Sequence, residues 1–140
     1  MSYTKSATTL THEATMVMLA AAIAKAEEIG QPQNVVIVDA SGVELGKIRM
    51  SGAKFLSLKS AHAKAVTSAS IRVPSTSIPD PMRGAISTAT EGNMTHLPGG
   101  LPIILDGECV GAVGVGSGSG EQDVIVATAA LAAIGAKIDF

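Results

Sequence analysis

The sequence predicts an α+β domain in which an antiparallel sheet of four to five strands is flanked by helices. Two pairs of strands joined by short turns, at residues 34–50 and 101–115, indicate that the sheet is antiparallel. Helical patterns before, between and after these pairs predict helices that cover the sheet. The 140 residues suit one domain, so we interpret residues 1–140 as a single domain.

The first helix is predicted to start after Thr11 and to end near residue 29. Thr11 is a favourable N-cap residue, and Glu13 suits the positive end of the helix dipole. Gly30 and Pro32 are typical of a helix end. Apolar residues recur between these ends at mostly helical spacing, which predicts that one side of the helix is buried.

Each strand pair carries its own turn signal. Residues 34–39 contain four consecutive β-branched residues, typical of a strand buried on both faces. A turn at residues 39–42 leads into an alternating, half-exposed strand over residues 43–50. Asp106-Gly107 predicts a type I′ turn between strands at residues 101–105 and 108–115.

Three further helices are predicted. Residues 55–72 have helical periodicity, and Pro74 ends that helix. A proline-rich loop over residues 75–84 precedes a short helix at residues 85–91. The last helix is predicted to open at Glu121-Gln122-Asp123 and to run to Ile134, with Gly135 at C′.

Composition excludes several classes of function. The formal net charge is −2, so no basic surface is expected to attract nucleic acid. The longest apolar stretch, residues 16–24, is too short to cross a membrane, and residues 1–10 lack a signal-peptide pattern, so we expect no membrane partner and a cytoplasmic location. Cys109 is the single cysteine, which excludes a disulfide framework and a cysteine-cluster zinc site.

The exterior is expected to be partly covered by other copies of the chain. Only 16% of the residues are charged, against about 25% in typical soluble domains. A monomer of this size normally has a more charged surface. We therefore predict a homo-oligomer.

The histidines are the first candidates for chemistry, although no two of them have the spacing of a metal-ligand pair. His12 lies in the first turn of its helix and is expected to be exposed. His62 lies on the apolar stripe of the second helix, where it is either a hydrogen-bonded core residue or a general base that lines a pocket. His96 lies in a glycine- and proline-rich loop and is a candidate axial metal ligand or acid–base group.

Arginines and glycines are the candidate ligand-binding residues. Arg49 ends the second strand and Arg72 ends the second helix, and either guanidinium suits a carboxylate or a subunit contact. Gly99 and Gly100 form a turn whose N–H groups suit an anion. Lys64 lies opposite the apolar stripe and is expected to be a solvated or interface lysine.

Two glycine-containing segments have structural interpretations. Ala112, Gly114 and Gly116 share one face of a strand, so that face is nearly flat and a helix or a ligand must approach it closely. After the following glycine-rich loop, Glu121 and Asp123 are expected to complement the dipole of the last helix.

Five sequence blocks carry a family resemblance. They are LTHEA (10–14), VVIVDASGVELGKIRMSGA (35–53), AHAKAVTSA (61–69), PGGLPIILDGECVGAVGV (98–115) and GSGSGEQD (116–123). Together they resemble the GlcG/HbpS family of haem-binding-type domains, which includes the C-terminal domain of PduO-type corrinoid adenosyltransferases. Ser51 stands where that family often carries aspartate.

The family resemblance implies an assembly size, a cofactor and a gene context, none of which composition or periodicity predicts. It implies a profilin- or PAS-like sandwich that assembles into dimers or larger oligomers, commonly octamers. It also implies haem as a possible cofactor and genes placed in catabolic operons. Functions across the family include haem binding or degradation, redox sensing and corrinoid-related roles.

Three functional hypotheses follow. The first is an oligomeric domain, associated with a catabolic pathway, that binds haem, another tetrapyrrole or a small organic ligand near His96, Gly99 and Gly100. The second is a pathway isomerase, hydratase or decarboxylase. It would use His62 or His96 as proton carrier and Arg49 or Arg72 as carboxylate anchor. Only three residues are aromatic, which favours the enzyme over haem binding. The third is a purely structural assembly module, which the low charge and the flat glycine face favour.

Overall fold

A computed structural model describes residues 1–140 and confirms the α+β fold. Two short 3₁₀ turns, Ser75–Ser77 and Asp80–Met82, precede the third helix. The regular elements are α1 (His12–Glu28), β1 (Asn34–Asp39), β2 (Glu44–Arg49), α2 (Leu56–Ile71), α3 (Arg83–Ala89), β3 (Gly100–Leu105), β4 (Glu108–Gly116) and α4 (Gly120–Ala132). None of the helices combines the length and apolarity needed to cross a bilayer.

The four strands form one antiparallel sheet in the order β2-β1-β4-β3. Both predicted hairpins are present. Asp106 and Gly107 have φ angles of 51° and 77°, which is the positive-φ pair that a type I′ turn requires. Because the first and second hairpins are joined through the central strands β1 and β4, residues far apart in the sequence meet at the middle of the sheet.

The sheet has a helical layer on each face. Helices α1 and α4 cover one face around a cluster of fifteen buried residues, which includes Val35 and Ile37 of β1. Helix α2 covers the other face, where Val36 and Val38 pack against alanines in a cluster of six residues. Strand β1 is thus buried on both faces, as its β-branched run predicts.

Helix α2 lies directly on the flat glycine face of the sheet. A Cβ atom built at Gly114 would clash with the backbone carbonyl oxygen of Ala61, and one at Gly116 would lie 2.7 Å from the carbonyl oxygen of Ser57. Only glycine permits such a close approach of helix backbone to strand backbone. The flat face therefore accommodates a helix rather than a ligand.

Helix ends agree with the predictions to within about two residues. The Thr11 hydroxyl accepts a hydrogen bond from the Ala14 N–H, as an N-cap does. Helix α3 begins at Arg83, two residues before the predicted start. Helix α4 begins at Gly120 because Ser119 and Gln122 form a capping box.

The predicted end of α4 is two residues too late. The helix ends at Ala132, Ala133 is its C-cap, and Gly135 lies beyond the C′ position with a φ of 69°.

Candidate functional site

The predicted residues His62 and Arg72 line the same cavity, which we call the α2 groove. Its volume is about 590 Å³, and it lies between the C-terminal half of α2, the β1–β2 turn and residues 90–94. Val66 and Ala69 provide part of its apolar wall, and Met94 lies on the loop side. The residues that line the groove thus include His62, Arg72 and Met94, which carry an imidazole, a guanidinium and a thioether.

Helical spacing explains why these side chains share the groove. His62, Val66 and Ala69 follow one another at intervals of four and three residues, so they lie on one side of α2. Arg72 is the C-cap of the helix and has a left-handed backbone with a φ of 61°. Its N–H donates to the Ser68 carbonyl oxygen at 2.8 Å, which fixes the chain as it leaves the helix.

The loop wall of the groove is tied to α2 by hydrogen bonds. The Thr67 hydroxyl donates to the Ala63 carbonyl oxygen at 2.7 Å and accepts from the Thr95 N–H at 3.0 Å. The Met94 N–H donates to the Thr90 hydroxyl at 3.0 Å. Met94 is thus held in place beside the helix that carries His62.

His62 also lines a neighbouring cavity of about 440 Å³. Phe55 and Leu58 contribute to that cavity, and Phe55 is 70% exposed. The imidazole therefore lies at a junction of two cavities, and one of the three aromatic residues of the chain lies beside it.

The other predicted site residues lie elsewhere. Arg49 lines a separate groove of about 600 Å³ between α1 and the end of β2, together with Ile23 and Met50. His96 is half-buried and lines neither the α2 groove nor the cavities that contain His62 or Arg49. His12 is exposed, and its Nε2 lies 3.2 Å from a carboxylate oxygen of Glu13.

Gly99 and Gly100 are buried in the protein interior. The Gly100 N–H donates to the Ser75 hydroxyl at 3.1 Å, and that hydroxyl donates to the Leu97 carbonyl oxygen at 2.6 Å. Gly99 has a φ of 114°, and a Cβ there would lie 2.7 Å from the Val115 carbonyl oxygen. Close packing explains both glycines, and their contact with a ligand stays a prediction.

The expectation of a solvated or interface Lys64 is wrong. Lys64 is 5% exposed and Asp123 is 2% exposed. The Lys64 Nζ donates to Asp123 Oδ2 and to the Val115 carbonyl oxygen, both at 2.8 Å. Asp123 Oδ1 accepts from the Gly118 N–H at 3.0 Å. Asp123 is therefore one member of a buried ion pair as well as a residue of the first turn of α4.

The sequence contains a weak signal for this burial. Seven of the sixteen residues of α2 are buried, and apart from Lys64 they are all alanine, serine or threonine. A helix with small residues on most of its surface can be covered on several sides, so position opposite the apolar stripe does not guarantee exposure. No group of three or more His, Cys, Asp or Glu side chains is arranged to hold a metal ion.

Comparisons with known proteins agree with this fold. The family model described as "Haem degrading protein HbpS-like" matches residues 10–132. The corrinoid adenosyltransferase PduO of Salmonella typhimurium is 33% identical over 119 residues, which cover 81% of this chain. The match covers 35% of that enzyme, so this chain spans about a third of its length.

Two solved structures have nearly the same architecture. Klebsiella pneumoniae protein ORFY superimposes with a TM-score of 0.90 at 29% identity, and the match covers 95% of each chain. The PduOC:haem complex superimposes with a TM-score of 0.87 at 28% identity, over 95% of this chain and all of that one. The chain belongs to the HbpS-like family.

Proposed function

We propose that this HbpS-like domain binds haem, or another tetrapyrrole, in the α2 groove, where the His62 imidazole would hold the haem iron. The observation that carries the proposal is the convergence of His62, Arg72 and Met94 on one groove of about 590 Å³. This volume lies within the ~300–1,000 Å³ of typical small-molecule sites. The haem complex of the related PduOC domain supports the choice of ligand.

The donor groups fit haem. Imidazole and thioether groups are common axial ligands of haem iron. A guanidinium pairs well with a carboxylate such as a haem propionate, which gives Arg72 a role in orienting the ligand. Val66, Ala69 and the neighbouring Phe55 offer apolar surface to the macrocycle. When bound, haem would supply the redox and ligand-binding chemistry of its iron.

His96 is the other candidate axial ligand. It follows Met94 by two residues, so its Cα lies within about 7 Å of the Cα of a residue that lines the groove. Arg49, in its separate groove, and the Gly99–Gly100 turn remain candidates for binding the ligand elsewhere. The alternative of an isomerase, hydratase or decarboxylase gains no support from the matched family.

Hemin titration tests the assignment. We expect a saturable Soret shift in the unmodified protein and a loss of affinity of at least about tenfold in His62→Ala, because even outer-shell changes at metal sites cost that much. His12→Ala is the matched control, since that imidazole is exposed on α1. A Soret shift that survives His62→Ala and disappears in His96→Ala would overturn the groove assignment.

We also propose a homo-oligomer, between a dimer and an octamer. The groove is open to solvent, so a flat ligand bound there would keep one face in water unless a second copy covers it. Phe55, which is 70% exposed and lines the neighbouring cavity together with His62, supports such coverage. Native mass spectrometry reports both the number of subunits and any retained ligand, and a strictly monomeric holo-protein would contradict the proposal.

A cytoplasmic location and a role beside a catabolic pathway complete the proposal. Both come from the sequence and its family resemblance. Cell fractionation tests the location, and the functions of neighbouring genes test the association with a pathway.

A further inference from the structure

A smaller cavity, separate from those described above, lies at the N-terminal end of α2 and shares no lining residue with the α2 groove. Its volume is about 240 Å³, and its walls come from the start of α2, residues 117–118, the start of α4 and Pro98. Only one of its ten lining residues is hydrophobic. We call it the ion-pair cavity because Lys64 and Asp123 both line it.

The Lys64 ammonium has an unused donor beside this cavity. Two of its three N–H bonds are directed to Asp123 and to the Val115 carbonyl oxygen. No protein acceptor takes the third, although the residue is 5% exposed. A buried ammonium is normally fully hydrogen-bonded, so the free N–H points to a missing acceptor.

Other groups on the cavity wall carry positive charge or have hydrogen-bonding capacity that the protein does not use. Lys54 brings a second positive charge, and its Nζ has only a long contact of 3.5 Å with the Ser117 carbonyl oxygen. Ser57 lines the cavity, and its hydroxyl makes no hydrogen bond to another group of the protein. With two lysines and one aspartate, the lining residues carry one net positive charge.

The interior next to the cavity has further unused hydrogen-bonding capacity. Gln33 is fully buried, and neither polar atom of its side chain has a partner. Its amide lies next to Gly118. A Cβ added at Gly118 would lie 2.7 Å from Gln33 Nε2 and 2.9 Å from Asp123 Oδ1. The polar character of the cavity thus continues into the protein.

We propose that the ion-pair cavity binds a small monocarboxylate. Lys64, Lys54 and the Ser57 hydroxyl would donate to the carboxylate, in hydrogen bonds strengthened by charge. The volume lies below the ~300 Å³ at which drug-sized sites begin, which restricts the ligand to a few heavy atoms. The single net positive charge of the lining matches a monoanion better than a phosphate dianion. This site is separate from the proposed haem groove.

Amide NMR titration of the full chain with sodium lactate tests the proposal, with lactamide as the neutral isostere. We expect saturable shifts at Ser117, Gly118 and Gly120 with lactate and none with lactamide. Lys54→Gln should weaken lactate binding by about three- to fivefold, as expected for a partly exposed charge contact. Lys54 is exposed and outside the buried pair, so this variant is expected to fold.

Lys59→Gln is the matched control. It removes the same charge from an exposed lysine on the first turn of α2, five residues after Lys54, that does not line the ion-pair cavity. An unchanged affinity in this variant supports the site. Equal weakening by the two substitutions, equal shifts with lactamide, or no saturable shift at the three amides would overturn it. Hemin binding is measured separately, so failure of one proposal does not decide the other.

Discussion

The two faces of the sheet are packed in different ways. On the α1/α4 face, large side chains such as Met18, Ile37 and Leu131 fill the space between the layers. On the α2 face, helix backbone approaches strand backbone at Gly114 and Gly116, and the buried side chains are valines and alanines. One face is therefore held by side-chain volume and the other by close backbone contact.

This difference places the candidate functional groups. A helix in backbone contact with the sheet has little freedom to shift, so the side chains that leave its flanks are held in fixed positions. His62 leaves α2 toward the groove, whereas Lys64 leaves it toward Asp123. Helices α1, α2 and α4 all contribute to the core, but only α2 carries residues of both proposed sites and also lies in backbone contact with the glycine face of the sheet.

The largest expected effect comes from adding one methyl group to the α2 face. In Gly114→Ala the new Cβ would clash with the Ala61 carbonyl oxygen, so α2 has to move away from the sheet. We expect a loss of about 4 kcal/mol or more in the free energy of unfolding, or failure to fold. Urea denaturation measures it.

Gly84→Ala is the control for this change. Its added Cβ has no neighbour within 4 Å, and its φ lies outside the left-handed region. It should be neutral or stabilising by up to about 1 kcal/mol. Similar stabilities for the two variants would refute the idea of backbone packing on the α2 face.

The buried ion pair gives the next largest effect. Lys64→Met leaves Asp123 charged and buried, which is expected to cost about 3–5 kcal/mol. The double variant Lys64→Met/Asp123→Leu removes both charges and should recover more than half of that loss in urea denaturation. If the double variant is no more stable than the single one, packing of the lysine stem rather than its charge accounts for the loss.

The smallest effect is expected on the α1/α4 face. Ile37→Val removes one methylene from a fully buried side chain and should cost about 0.5–1.5 kcal/mol. Neighbouring side chains can adjust to this loss, whereas backbone atoms beside Gly114 cannot adjust to a gain. A cost of Ile37→Val equal to that of Gly114→Ala in thermal or urea unfolding would remove the distinction between the faces.

Part of the candidate site was accessible from periodicity. His62 and Arg72 fall near one line of the second helix, and the structure brings them to one groove. Met94 was missed, because a loop residue has no periodicity to place it. Helical periodicity places Lys64 at the surface, because a helical wheel shows angular position but not how many neighbours surround the helix.

The elements, their order, the two hairpins and the resemblance to the HbpS-like family can all be predicted from local sequence, because caps, turn dipeptides and periodic patterns act over a few residues. The flat face formed by Ala112, Gly114 and Gly116 also predicts that a helix or a ligand lies against it. The packing of α2 on that face, the pairing of Lys64 with Asp123 and the presence of Met94 and His62 in one groove are visible only in the folded chain. These contacts join residues tens of positions apart. They depend on how the helical layers pack against the sheet, which no local sequence pattern encodes.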